Sequence, residues 1–199
     1  MLDPIWTRTR QDRLRALMER EALDLLYLSD ARDIYYATGQ LLKTTDAAGD
    51  FPSLAAIASD GSSWLVSFTM DGEALVDQRF AYEPAYAATM NPDPLGRLSE
   101  VVAAVVAGGS APDRVGFLRE SLPWLLQDTI ARVQRPGGWV SVDTQLATLQ
   151  AIKDPDEVEL MRGAIACSAA AYAAARAIIA PGVSELDVRE AGHRAAVVQ

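Results

Sequence analysis

The 199-residue chain is poor in the side chains that do most chemistry: one cysteine, one histidine, and 18 Lys and Arg against 27 Asp and Glu, a net charge of −9. A single thiol, Cys167, closes no internal disulfide, and no Cys-x-x-Cys spacing marks a zinc site, so the chain reads as cytoplasmic. Basic patches are missing as well. Residues 41–99 carry three basic and eight acidic side chains, which argues against a nucleic-acid or anionic-membrane partner. No run reaches the ~20 apolar residues of a bilayer span. The most apolar stretch, residues 164–175, is an alanine-rich helix between Arg162 and Arg176. Met1-Leu-Asp-Pro-Ile-Trp6 places an acid and a proline where a signal peptide needs basic residues and then an apolar run. Half of the residues are hydrophobic and 23% are charged, which is globular composition and excludes general disorder.

Catalytic patterns are equally scarce. No Gly-x-Ser-x-Gly elbow, Gly-x-Gly-x-x-Gly turn or Walker loop occurs. Glu190 and His193 have the Glu-x-x-His spacing of di-metal bundles, but such a site needs a second copy of the motif, so a solvated polar face is the default. Cys167 lies among alanines, the setting of a small buried hydrophobe. The sequence therefore predicts no catalytic and no metal-binding residue.

What is present is alternation. Thr9 can cap a helix that carries Leu14, Leu17, Met18 and Ala22 on one face, and residues 23–28 read as a buried strand. Ser29 and Asp30 open a short helix that Gly39 can close. Residues 40–53 show no apolar period, and loops of that length are usually functional or mobile. Strands at 54–58 and 64–68 flank Asp60-Gly61, which is hairpin chemistry. A helix over 73–79, a strand over 85–89, a helix over 95–107, a strand over 114–118, a helix over 121–133 and a strand over 139–142 follow. Six strands with interleaved helices make an α/β domain with a mixed sheet over residues 1–143, then a linker over 144–153. The composition then changes, because residues 151–199 hold fourteen alanines and no strand candidate. Asp154-Pro155-Asp156-Glu157 is a helix start with a capping box; Pro181-Gly182 ends that helix, and Ser184 with Asp187 opens another.

Three stretches together resemble the creatinase, prolidase and aminopeptidase P family, metallohydrolases whose catalytic domain has the pita-bread fold. Residues 13–28 followed by Asp33-Ile-Tyr-Tyr-Ala-Thr-Gly39 are similar to its amino-terminal helix, strand and "N-I-x-Y-L-T-G" turn. Residues 149–162 resemble the "R-x-I-K-x-x-x-E-I-x-x-M-R" entry into the catalytic domain, and Ile179-Ala-Pro-Gly-Val-Ser-Glu185 the "I-x-P-G-x-S/T-E" joint. The resemblance implies a creatinase-like amino-terminal domain followed, over 154–199, by two helices of an incomplete pita-bread α+β domain. The family's five metal ligands, two Asp, one His and two Glu, fall beyond that joint, so the chain as it stands is expected to be inactive and a fragment. A pair of Mn, Co or Zn ions is expected only in a full-length peptidase.

The resemblance also implies a homodimer through the amino-terminal domain, and a proline-containing peptide or small amide as substrate of the full-length form. In creatinase-like relatives the segment after the Thr-Gly turn reaches a neighbouring active-site mouth. It assigns that place here to Gln40, Leu41, Leu42, Lys43, Asp50 and Phe51, with Lys43 and Asp50 as charged handles and Leu41, Leu42 and Phe51 as apolar contacts. Two other readings stay open: a stand-alone interaction module, and the front of a non-peptidase relative acting on creatine, ectoine-type amides or sulfonium compounds.

Overall fold

The computed structural model describes residues 2–42, 51–70, 72–83 and 93–198. The expected strand over 85–89 lies outside them, and so do Lys43 and Asp50. The described residues divide into two compact units, one ending at Ile152 and one beginning at Lys153.

In the first unit, helix α1 (Pro4–Glu21) starts earlier than Thr9, because Asp3 accepts a hydrogen bond from the Ile5 amide at 2.7 Å and Pro4 takes the first helical position. Thr9 instead lies inside the helix, its hydroxyl bonded to the Ile5 carbonyl. Strand β1 (Leu25–Leu28) leads into α2 (Ala31–Thr38), which Asp30 caps through the Arg32 amide and Gly39 closes at a φ of 73°. Strands β2 (Leu54–Ala58) and β3 (Ser63–Ser67) form the expected antiparallel hairpin. At its tip Gly61 has a φ of 91° and Asp60 accepts from the Ser62 amide.

The helix expected over 73–79 does not form. Strand β4 (Gln78–Ala81) takes its place and pairs in parallel with β3, since an open sheet edge offers backbone partners that outweigh local helix preference. Helix α3 (Pro94–Ala107), strand β5 (Arg114–Phe117), helix α4 (Trp124–Val133) and strand β6 (Gly138–Ser141) complete the alternation. Pro123 sits just before α4 in extended conformation and not within its first turn. Residues expected as the body of the linker form helix α5 (Asp143–Ala151), seated on the core by Leu146.

The six strands run in the order β4-β3-β2-β1-β5-β6. β1 is antiparallel to β2 and parallel to β5, so the sheet is mixed. Both faces are covered. Leu26, Leu28, Ala55, Ile57 and Leu65 pack under α1, α2 and α5, whereas Leu25, Tyr27, Leu54, Ala56, Val66 and Val115 pack under α3 and α4. Double coverage explains why all four residues of β1 are buried and why it reads as an unbroken apolar run.

The second unit is a helical hairpin, α6 (Pro155–Ile178) and α7 (Glu185–Val197). The Asp154 amide bonds to Glu157 at 2.9 Å, and Ser184 with Asp187 forms a full capping box. The helices meet at small residues: a Cβ on Gly192 would stand 3.3 Å from the Ala171 carbonyl and 3.7 Å from the Ala175 Cβ. No residue of α6 is buried, and Ile165, Tyr172, Ile179 and Leu186 are exposed.

Candidate functional site

The segment singled out after the Thr-Gly turn begins from a firmly held root. The Thr38 hydroxyl donates to the Ile34 carbonyl and accepts from the Gln40 amide. Gln11, on α1, donates its side-chain amide to the carbonyls of Ala37 and Leu75 at 2.9 and 2.7 Å, and the Leu75 amide donates back to the Thr38 carbonyl. Gln40 is buried at 3% exposure, with its Oε1 accepting from Arg79 Nη2 at 3.1 Å. Leu42 is an interior residue of the α1/α2/α5 side of the core, and Leu41 points outward at 63% exposure. On the far side, Phe51 lies against Phe68 with ring centroids 4.6 Å apart, and the Pro52 carbonyl accepts from the buried Tyr82 hydroxyl at 2.7 Å. Burial drives the Tyr82 phenol well above its ordinary range. The structure thus brings Gln40 and Leu42 into the framework and leaves Leu41 available.

Arg10 is an interior residue that the sequence reading did not single out. It is fully buried on α1, donates to the Thr7 hydroxyl at 3.2 Å, and stands 5.7 Å over the Tyr36 ring. A second polar group gathers around the carboxyl ends of β1 and β6. Asp33, in the first turn of α2, is 6% exposed and accepts from Gln150 of α5 at 2.8 Å. Burial raises its carboxyl above the ordinary value, and the charges of Asp30 and Asp143 add to the effect. Asp143 goes the other way: burial works against ionisation, but hydrogen bonds from Ser141 and from the Arg119 amide lower it. Ser29 bonds across to Ser121 at 3.2 Å. In the sequence this group shows only through Ser29 and Asp30 as a helix start and Asp33 as the first residue of the Asp33–Gly39 turn.

Among the described residues, Asp154, Asp156 and Glu157 are the group of three acidic, His or Cys side chains whose ligand atoms lie within 4.8 Å of one another. They occupy the start of α6, where such acids complete the helix end. His193 is exposed on α7 and Cys167 is half-buried on α6. Both lie in the second unit, outside the first.

A doubly covered mixed sheet of six strands, with helices on both faces, defines the class: an α/β domain. Residues 10–152 match the family described as the creatinase/prolidase N-terminal domain, and the chain belongs to that family. The prolidase from Pyrococcus furiosus superposes with a TM-score of 0.66 at 15% identity, over 94% of this chain and 52% of its own. An X-Pro aminopeptidase from Thermotoga maritima gives 0.63 at 16% identity, over 95% and 49%. The N-terminal domain of an X-Pro dipeptidase from Streptococcus pyogenes gives 0.50 at 13% identity, over 72% of this chain and 98% of its own. At these identities the likeness is one of fold. The chain spans about half the length of the prolidase and of the aminopeptidase. No curated protein matches it. No helix among the described residues is long and apolar enough to cross a membrane.

Proposed function

We propose that the chain is the front part of a Xaa-Pro peptidase-like hydrolase, in which the first unit sets oligomerisation and shapes the active-site mouth while a later catalytic domain supplies the chemistry. The observation that carries this reading is the joint coverage: the family match spans most of the first unit, and the superposition on the prolidase and the aminopeptidase continues through nearly all of the chain. The exposed apolar residues of the hairpin, Ile165, Tyr172, Ile179 and Leu186, support it, because two helices with such faces stabilise poorly unless something covers them. In this reading the full-length form is a homodimer that takes a proline-containing peptide or small amide, and it binds a divalent metal pair through ligands that follow the hairpin. The exposed Leu41, beside the buried Gln40 and Leu42, is then the first residue to meet the neighbouring subunit. Sequencing the reading frame beyond codon 199 tests the proposal. A continuing frame that encodes two Asp, one His and two Glu on strands supports the hydrolase, and a stop codon there overturns it.

A stand-alone interaction module is the second reading. It is favoured by the self-contained first unit. With a stop codon after residue 199, a dimer on analytical ultracentrifugation would support the module, and a monomer at all concentrations would count against it.

A further inference from the structure

Arg79 stands out as a positive charge without a counter-ion among the described residues, in an acidic region. It lies on the edge strand β4, in register with the buried Leu65, and so on the side of the sheet that α1 and α2 cover. Its guanidinium is held in place by neutral acceptors: Nη1 donates to the Gly72 carbonyl at 2.8 Å and Nη2 to Gln40 Oε1 at 3.1 Å. The third nitrogen, Nε, is buried and has no acceptor. Among the described residues no carboxylate pairs with Arg79, although residues 41–99 carry eight acids. The described acids near it in sequence are otherwise disposed, since Asp77 accepts from the Ser63 amide and hydroxyl at 2.7 and 3.0 Å and Glu73 and Glu83 are exposed.

Each feature has a physical consequence. A guanidinium cannot shed its charge, so it must be solvated or paired, and a half-buried one is poorly solvated. Two bonds to fixed acceptors lock its plane, which removes the ordering cost of meeting a planar, forked anion. Gly72 contributes through its φ of 78° and through space, because a Cβ there would stand 3.2 Å from Gln40 Nε2. The anion is therefore selected by shape and by charge. A protein of net charge −9, with acids on either side of Arg79, repels a dianion more than a monoanion, which disfavours phosphate and leaves the carboxylate as the matching group.

We propose that Arg79, held by Gln40 and the Gly72 carbonyl, is a recognition site for a carboxylate on a peptide chain, borne by its terminus or by an acidic side chain. The site goes beyond the hydrolase reading and does not depend on it, since the probes contain no proline and need no turnover. The test is a titration of the 199-residue chain followed by NMR through the Arg79 Nε–H resonance, which is assigned by its loss in R79K. The probes are N-acetylglycine, the α-amide of N-acetylglutamate, N-acetylglycinamide and inorganic phosphate. N-acetylglycine should move the resonance saturably with a dissociation constant of order 1 mM, a value typical of one weak polar contact. N-acetylglycinamide should leave it in place. A response to N-acetylglycine alone assigns the site to chain termini, and a response to both carboxylates admits side chains; either result upholds the proposal. Followed through the Gly72 amide, R79K should bind at least about fivefold more weakly while its melting temperature stays close to that of the natural chain, because lysine keeps the charge but not the fork. An Arg79 that only braces Gln40 and Gly72 would give no saturable shift with any carboxylate. That result overturns the proposal, and so does an equal response to the amide or a stronger one to phosphate.

Discussion

At the scale of single residues the most informative group is Asp33. It sits in the first turn of α2, where the helix end favours a negative charge, yet burial and the neighbouring charges of Asp30 and Asp143 raise its carboxyl above the ordinary value of 3.8. A carboxyl that holds its proton more tightly when folded than when unfolded stabilises the fold most at low pH. That contribution is lost as pH rises through the folded value. Asp33→Asn keeps an oxygen for the Gln150 amide and removes the ionisation. At pH 7 the variant should be more stable than the natural chain by up to about 1 kcal/mol, the ordinary scale of one substitution. The gap should close below the ordinary value of 3.8. Urea midpoints measured between those limits check the sign, and a loss of stability at pH 7 with no dependence on pH would show that ionised Asp33 is needed by the fold. The sequence marks Asp33 only as the first residue of the Asp33–Gly39 turn and not as a buried acid, because its environment joins α2 to the end of β6 and to α5, more than a hundred residues away.

Among elements, β5 carries the sharpest constraint. Gly116 faces the α1/α2 side of the sheet, where an added Cβ would meet Leu23 Cδ1 at 2.7 Å and Leu26 Cδ1 at 3.0 Å. Both are ends of flexible side chains, so the core can yield at the usual overpacking cost. Gly116→Ala is expected to lose about 1–3 kcal/mol, read as a lower urea midpoint with an unchanged slope. Elements whose signal is local were legible in advance: β1 from its apolar run, the β2–β3 hairpin from Asp60-Gly61, the end of α2 from Gly39, and both hairpin helices from their caps. The failures share one cause. Residues 73–79 have helix-forming composition, but Asp77 is taken by the Ser63 backbone and the chain then runs along the open edge of β3. Helix α5 has almost no amphipathic pattern, and Leu146 alone among its residues is fully buried, so its existence depends on the core it lands on. The candidate segment was legible as a long interruption of the apolar period. The grip of Gln40, Gln11 and Arg79 on its root was not, since those contacts join three separate stretches of the chain.

For the whole molecule the consequence lies in the division at Ile152. The first unit has a sheet buried on both faces, with two apolar clusters that draw on every strand. The second has two helices in which α6 has no fully buried residue and Ile165 and Tyr172 are exposed, so it buries much less apolar surface than the sheet does. Local opening should therefore begin in the hairpin, at a free energy well below that of the sheet. The junction itself is accessible, because Ile152 is 78% exposed and Lys153, a trypsin site, is exposed beside it. Brief digestion at low enzyme ratio is expected to release first a fragment ending near Lys153, with cleavage inside the sheet much later. A chain ending at Ile152 should keep the cooperative melting transition of the parent within a few degrees, the range that a change of about 1 kcal/mol produces in a domain of this size. Hydrogen exchange gives the same comparison residue by residue. Protection in α6 and α7 equal to that in β1 and β2 would mean that the hairpin draws its stability from contacts other than its own, and that the two units unfold as one.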